Sequence, residues 1–226
     1  MDGISTILNL KDLPKAGLLS MRKRFSYLLL LIFIIVIGII IVIYYQLHNS
    51  RQDSLLNLPE LEVGDWVVRM GTVNDSRWIS YLGNSEYSHI GMIVAIEPKV
   101  LVIHATTDDG EIGSDQVIVS ELERFLSPTL AKKGAIIRPL FLDSMKKKQI
   151  VSTIWKQRGK PFILASKDKY HLYCTTLLLD SIQHSHPSFQ PRWTKINIPL
   201  FEGEYLFPQS FVDYPNTRII YYLNNY

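Results

Sequence analysis

The only cysteine of the chain, Cys174, and two histidines, His89 and His104, are the side chains whose types could carry nucleophilic chemistry. A thiol attacks as its thiolate, so it needs a base that accepts its proton and a second polar group that holds this base in one tautomer. The apolar run that begins at Cys174 predicts a helix, which places the thiol at the positive end of a helix dipole. We therefore assign Cys174 as the candidate nucleophile, His89 as the candidate base and His104 as the group that orients it. The backbone N–H of Cys174 is the candidate oxyanion donor.

Two β-rich segments carry the histidines and are predicted to pair as a hairpin: His89–Ile96 and Val100–Ala105. If the turn holds an even number of residues, Ala95 faces Val100 and Gly91 faces His104. Both imidazoles then lie on one face of the sheet, close enough to touch. A turn with an odd number of residues would place them on opposite faces.

Other roles stay open for these residues. A lone cysteine is often a small buried side chain, and two histidines in strands can be unrelated polar residues. One cysteine and two histidines could also bind zinc, although close ligand pairs such as HxxxH do not occur. His171, three residues before the cysteine, could modulate its pKa but is expected to be an exposed loop residue. His184 and His186 receive no role.

The elements that must position these side chains divide into a β-rich first half and a helical second half. Strands are predicted from β-branched and aromatic runs bounded by turn residues; they are Trp66–Met70, the two histidine segments, Ala135–Pro139 and Arg218–Leu223. Helices are predicted at Arg77–Leu82, at Ser120–Phe125, from Asp143 or Ser144 to about Gln157, and from Cys174 to near His184. Phe162–Tyr170 is expected to be a loop.

An uncharged apolar segment, Phe25–Tyr45, precedes this domain. As a helix it would span about 30 Å, the thickness of the hydrocarbon core of a bilayer. The residues that follow it lack the small side chains of a signal cleavage site, so the segment is predicted to be an uncleaved signal anchor. Because Arg22, Lys23 and Arg24 precede it, the N-terminal tail is predicted to be cytoplasmic and the domain to lie on the periplasmic or extracellular side.

Four regions follow from this pattern: a tail (1–24), a transmembrane helix (25–45), a linker (46–60) and a hydrolase-like domain (61–226). The chain has a net charge of +3, and its first 24 residues hold five Lys or Arg and two Asp, so the remainder sums to zero. Nucleic-acid binding is therefore not expected. The expected partners are the lipid bilayer, through the one helix, and a cell-wall peptide or lipid substrate; no cofactor and no metal are expected.

The order of the motifs resembles the permuted branch of the NlpC/P60 papain-like hydrolases, the YiiX/YebB-like group. The segments that carry the resemblance are Gly64-Asp65, Ser88-His89-Ile90-Gly91, Val102-Ile103-His104-Ala105, Gly159-Lys160-Pro161-Phe162 and Tyr173-Cys174-Thr175, within about Leu61 to Phe211. The resemblance implies an α+β fold in which an antiparallel half-barrel packs on the cysteine helix. It also implies hydrolysis of amide or ester bonds by a triad of Cys174, His89 and His104. Two positions depart from the family pattern: Thr176 and Ile163 stand where acidic residues are common.

The anchor and the resemblance together predict a membrane-anchored cysteine hydrolase that cleaves amide bonds. Since the domain is expected to face the cell wall, a peptidoglycan amidase or endopeptidase is the leading expectation. One alternative is a lipid acyl hydrolase or acyltransferase, because the similar lecithin:retinol acyltransferase group also pairs two histidines with a cysteine. The other is a non-catalytic binding module on the same fold, whose mark would be function that survives Cys174→Ala.

Overall fold

The computed structural model describes residues 27–46, 58–107, 115–199 and 201–224. The chain forms two units, Met1–Leu56 and Asn57–Tyr226. In the first unit, helix α1 covers Tyr27–Gln46 and is long and apolar enough to cross a membrane. The basic residues that carry the predicted orientation, and most of the predicted linker, lie outside the described residues. The side of the membrane on which the domain lies therefore stays a prediction.

The second unit contains a six-stranded antiparallel sheet, a two-stranded hairpin and five helices among its described residues. The strands are β1 (Trp66–Gly71), β2 (His89–Ala95), β3 (Leu101–Thr106), β4 (Gln116–Glu121), β5 (Ala131–Pro139), β6 (Thr194–Ile198), β7 (Phe201–Tyr205) and β8 (Thr217–Asn224). The helices are α2 (Asn74–Leu82), α3 (Leu122–Phe125), α4 (Ser144–Trp155), α5 (Cys174–Ser185) and α6 (Gln209–Val212). The order in the large sheet is β4-β3-β2-β1-β5-β8, and β6 pairs with β7. An α+β fold with an antiparallel sheet is thus confirmed.

Helix α5 packs against β2 and β3, the two strands that carry the histidines. Its apolar run, Leu177 to Leu179 followed by Ile182, is buried together with apolar side chains of both strands. Burial of these side chains supplies the main driving force that holds the cysteine helix on the sheet. The helix begins at the residue that carries the thiol.

The central hairpin has the predicted pairing near the site but a different turn. Met92 faces Ile103, so continuing this register places Gly91 opposite His104, as expected. Ala95, however, pairs with Leu101 rather than with Val100, because the register shifts between Ile93 and Ala95. An irregularity of this kind changes the turn without moving the residues beyond it to the other face.

Two parts of the fold differ from the sequence prediction. Gln116–Glu121 forms β4, and α3 begins only at Leu122, whereas a helix was expected from Ser120. The six residues of β4 complete the edge of the sheet by pairing with all of β3. The hairpin of β6 and β7 was not predicted.

Candidate active site

The two histidines contact each other through their ring nitrogens. His89 Nε2 and His104 Nδ1 are 2.9 Å apart, and the two rings are nearly perpendicular. His89 is half-buried and His104 is fully buried. The pair predicted from the even-numbered register is therefore brought together.

A third side chain, not predicted from the sequence, continues this chain of hydrogen bonds. The Oγ of Ser120 on β4 is 3.0 Å from Nε2 of His104, and Ser120 is buried. In β4, Ile118 faces His104, so Ser120 lies two residues along on the same face of the sheet. The alternation of β4 could have indicated this contact, but the segment around Ser120 was assigned to a helix.

An aromatic ring and a buried arginine support the histidine pair from one side. The ring of Phe125 lies 4.9 Å from that of His104 and 5.5 Å from that of His89. Arg69 stacks on the same ring at 4.4 Å and donates from Nη1 to the carbonyl of Phe125 at 2.9 Å. Arg69 also faces His89 across β1 and β2. A buried charged residue inside an apolar strand, WVVRMG, is a sequence signal that could have identified it.

The residues on either side of Cys174 fix the start of α5. Tyr173 accepts a hydrogen bond at its hydroxyl from the backbone N–H of Leu206, at 2.9 Å, and Thr175 donates from Oγ1 to the carbonyl of Leu206, at 2.8 Å. Both polar groups of one backbone residue are thereby satisfied by the neighbours of the thiol. An acidic residue is common at position 176 in the family that the sequence resembles. Here Oγ1 of Thr176 accepts a hydrogen bond from the backbone N–H of Tyr173, at 2.9 Å. Its role is to cap the helix.

Burial favours the neutral form of both Cys174 and His89. It raises the pKa of Cys174 to about 11, although the backbone N–H groups of Ile90 and Thr175 and the charge of Arg69 act in the opposite direction. Burial also lowers the pKa of His89 well below its usual range, and the charges of Arg69 and His104 lower it further. The helix start thus does not outweigh burial, and the neutral form is favoured for both the thiol and the imidazole.

Cys174 and His89 both line one cavity of about 260 Å³, and Arg69 lines it as well. The remaining wall is largely apolar and comes from α2, from the loop after α4 and from the hairpin β6–β7 with the residues that follow it. The apolar lining includes Ile79, Leu82, Leu130, Phe162, Leu164, Ile196, Leu206 and Phe207.

The fold is similar to that of yiiX. A crystal structure of "metalloprotein yiiX from Escherichia coli O157:H7, DUF1105" matches with a TM-score of 0.58 and 20% sequence identity, covering 71% of this chain and 96% of that one. No family model and no curated protein matches the sequence. At this identity the likeness to yiiX establishes the fold alone, so the assignment to the NlpC/P60 hydrolases stays a prediction.

The name of yiiX raises the question of whether these residues suit a metal. His89 Nε2 and His104 Nδ1 bond to each other, and His104 Nε2 bonds to Ser120, so three of the four ring nitrogens of this pair are already engaged. In the part of the chain that the structure describes, no group of three or more His, Cys, Asp and Glu side chains is placed to hold a metal ion. This donor set does not fit the three-ligand zinc site considered above.

The remaining sequence candidates lie away from the reacting groups. His171 is half-buried rather than exposed, and its Nδ1 lies 2.8 Å from the carbonyl of Lys169. Its ring packs near those of Tyr173 and Trp193. Ile163 pairs through its backbone with Leu172 in an isolated β-bridge.

Proposed function

We propose that this protein is a membrane-anchored cysteine hydrolase, in which Cys174 attacks the carbonyl carbon of an amide or ester. The observation that carries the proposal is the hydrogen-bonded chain from Ser120 through His104 to His89, which ends in the cavity that Cys174 lines. The likeness to yiiX supports it at the level of the fold.

The hydrogen-bonded chain is compatible with the tautomer that a base needs. Among the described residues, Nδ1 of His89 has no hydrogen bond, and this atom can accept the thiol proton only if Nε2 carries the ring hydrogen. Nε2 then donates to His104 Nδ1, and His104 Nε2 donates to Ser120 Oγ. Each member of the chain thereby holds the next in one orientation.

The reaction then begins from neutral partners. As the sulfur–carbon bond forms, the thiol proton moves to Nδ1 of His89 and the carbonyl π electrons move to the oxygen. The backbone N–H of Cys174 is the donor placed to stabilise this oxyanion. The intermediate collapses as the carbon–nitrogen or carbon–oxygen bond breaks, and His89 returns the proton to the leaving amine or alcohol. Water, activated by the same imidazole, hydrolyses the thioester.

The cavity lining favours a substrate with an acyl chain. Apolar side chains form most of the wall beside the thiol, and an acyl chain contributes binding free energy in proportion to the apolar area it buries there. We therefore propose the lipid acyl hydrolase or acyltransferase alternative as the better fit to this site.

A cell-wall peptide is the second candidate. Arg69 and Asp75 both line the cavity, and their opposite charges suit the carboxylate and amino groups of a peptide. The predicted position of the domain outside the cytoplasm supports the same substrate. This proposal rests on location and on two charges, whereas the acyl proposal rests on the larger part of the wall.

Hydrolysis of p-nitrophenyl esters of increasing acyl length by the full chain, in mild detergent with a chelator, tests the proposal. We expect Cys174→Ala to abolish hydrolysis and His89→Ala to lower kcat/KM by about 10² to 10⁴-fold. His171→Ala, a histidine outside the hydrogen-bonded chain, serves as the control. An increase of kcat/KM with chain length supports the acyl substrate, whereas release of amino acids from peptidoglycan fragments supports the peptide.

Activity that survives Cys174→Ala would refute a thiol hydrolase. A stable, folded protein that turns over neither class of substrate, and whose cellular function survives the same substitution, would be a binding module.

A further inference from the structure

Large apolar side chains are exposed at the edge of the cavity and on the elements that line it. We call this set the apolar rim; it consists of Val73, Trp78, Tyr81, Leu164, Ile198 and Phe201. Three of its members, Val73, Leu164 and Phe201, line the cavity and are exposed to solvent at the same time. These three therefore mark the edge where the cavity opens.

The two aromatic members on α2 face away from the cavity. Ile79 and Leu82 of this helix line the cavity, whereas Trp78 and Tyr81 are 63% and 78% exposed. Trp78 and Tyr81 are three residues apart, which places them on one face of the helix, and their rings meet edge to face at 6.4 Å. Helix α2 thus presents aliphatic side chains to the cavity and a pair of aromatic side chains to the outside.

The hairpin β6–β7 contributes two further members of the rim. Ile198 and Phe201 face each other at the end of the hairpin, and both are exposed. Leu164, in the loop after α4, is exposed as well. Exposed apolar residues that cluster around a binding cavity usually mark an interaction site.

The short segment between α1 and the domain indicates which partner the apolar rim meets. Residues 47–57 separate α1 from the first described residue of the second unit, and a chain of this length spans at most about 40 Å when fully extended. A domain held at this distance by a membrane helix meets the bilayer surface continually. Trp and Tyr side chains are also the residues enriched at the interface between membrane and water.

We propose that the apolar rim docks on the surface of the lipid bilayer, so that the acyl chain of the substrate passes from the membrane into the cavity beside Cys174. The inference rests on the proposed membrane anchor and on the proposed hydrolase, and it names the bilayer as the source of the substrate. Docking of the rim removes its apolar side chains from water, and the cavity mouth then opens toward the lipid phase.

The first test compares two alkylating reagents on the full chain reconstituted in phosphatidylcholine vesicles. One is N-hexadecyl iodoacetamide dissolved in the bilayer, and the other is water-soluble iodoacetamide. We expect the double variant Trp78→Ser/Tyr81→Ser to react about tenfold more slowly with the hexadecyl reagent and at an unchanged rate with iodoacetamide. The matched control, Trp155→Ser/Tyr222→Ser, replaces two exposed aromatic residues on α4 and β8, elements that contribute no residue to the cavity lining, and should change neither rate.

Equal rates for the double variant and the unaltered chain with the hexadecyl reagent would overturn the docking proposal. An unaltered chain that hydrolyses no ester would instead contradict the hydrolase, so the two failures are distinguishable.

A second measurement does not depend on the thiol. Brominated lipids in the same vesicles quench tryptophan that lies at the bilayer surface. We expect Trp78→Phe to remove most of the quenched fluorescence and Trp155→Phe to leave it unchanged. If Trp78 is not quenched and the full chain in detergent forms a dimer that Trp78→Ser/Tyr81→Ser dissociates, a second copy covers the rim and the bilayer proposal is wrong.

Discussion

Ser120 hydrogen-bonds His104, the histidine that contacts His89, and we expect it to help orient both rings. Without its hydroxyl, His104 loses the hydrogen bond of 3.0 Å at Nε2 inside a buried site, and the chain that extends to His89 is shortened by one member. We expect Ser120→Ala to lower kcat/KM for ester hydrolysis by about tenfold. We also expect the unfolding free energy to fall by about 1 to 3 kcal/mol.

The conservative variant separates orientation from packing. Ser120→Thr keeps the hydroxyl and should retain most of the activity. Ser181→Ala removes another buried serine hydroxyl, which donates to the carbonyl of Leu177, and should leave kcat/KM unchanged. If Ser120→Ala and Ser181→Ala have equal effects on kcat/KM, then Ser120 has no orienting role.

The two neutral reacting groups make the stability of the protein depend on pH in opposite directions. The pKa of His89 is lowered from 6.5 on folding, so below about pH 6.5 the unfolded chain binds more protons and stability falls. The pKa of Cys174 is raised from 9.0 to about 11, so above about pH 9 the unfolded chain loses its proton first and stability falls again. We expect the unfolding free energy to be highest between these limits, and the contribution of the thiol to the alkaline loss to approach about 3 kcal/mol.

Comparison of the unaltered protein with Cys174→Ala isolates the contribution of the thiol to the loss of stability at alkaline pH, because every other titrating group is common to both proteins. The difference in unfolding free energy between the two proteins, measured with urea in mild detergent, should be constant between about pH 7 and 9 and should decline above this range. A difference that stays constant to about pH 11 would mean that the thiol ionises as easily in the folded protein as in the unfolded chain.

Among the elements, the sequence predicts best those whose hydrophobic pattern and burial agree. The cysteine helix, the two histidine strands and the last strand were placed within one or two residues of their observed bounds. The contact between His89 and His104 followed from the register alone. This prediction assumes a regular turn, which the structure does not have. The two histidines are nevertheless in contact, because the irregularity lies beyond Ile93, on the turn side of both.

The elements that the sequence does not predict are β4 and the hairpin β6–β7, whose β structure depends on the strands that pair with them. Strand β4 lies at the edge of the large sheet, where several of its side chains are half-exposed, which weakens the pattern that would have identified it. The hairpin β6–β7 forms a separate two-stranded sheet and has mostly exposed side chains. Because β propensity depends on such surroundings, sequence reading missed Ser120 and most of the cavity wall along with these strands.

The segment before β1 is held by a group of buried and half-buried charges. Asp65 is fully buried and accepts two hydrogen bonds from Arg138 of β5, at 3.0 and 2.7 Å. Lys147 of α4 lies 3.6 Å from the same carboxylate and 2.7 Å from Glu62. Gly64 has a φ of +88°, and a Cβ there would lie 3.0 Å from the side chain of Lys147, so this turn requires glycine.

Removing Asp65 should therefore loosen β1, the strand that carries Arg69. Asp65→Ala leaves Arg138 and Lys147 without this carboxylate, and we expect the unfolding free energy to fall by about 3 to 5 kcal/mol. Glu121→Ala is the control, because it breaks the more exposed ion pair with Lys99 and should cost less than about 1 kcal/mol. Equal losses in urea denaturation would mean that the buried group adds nothing beyond a surface pair.

At the scale of the whole molecule, the proposed activity requires that the domain lie on the side of the membrane where its substrate is found. A cell-wall peptide is reached only from outside the cytoplasm, whereas an acyl lipid is present in either leaflet. A domain on the cytoplasmic side would therefore exclude the peptide, whereas a domain outside the cytoplasm is compatible with both substrates.

The basic residues before α1 give a test of this side. Positive charge is retained in the cytoplasm, so a phosphatase that needs disulfides, fused after Tyr226, should be active in the unaltered chain. Charge reversal by Arg22→Glu, Lys23→Glu and Arg24→Glu, combined with Gln46→Lys and Asn49→Lys, should invert the helix and abolish phosphatase activity. The fusion protein should remain in the membrane in both cases, which is checked by carbonate extraction. An inactive phosphatase on the unaltered, membrane-bound chain would place the domain in the cytoplasm, which would rule out a cell-wall substrate and leave the acyl lipid of the inner leaflet.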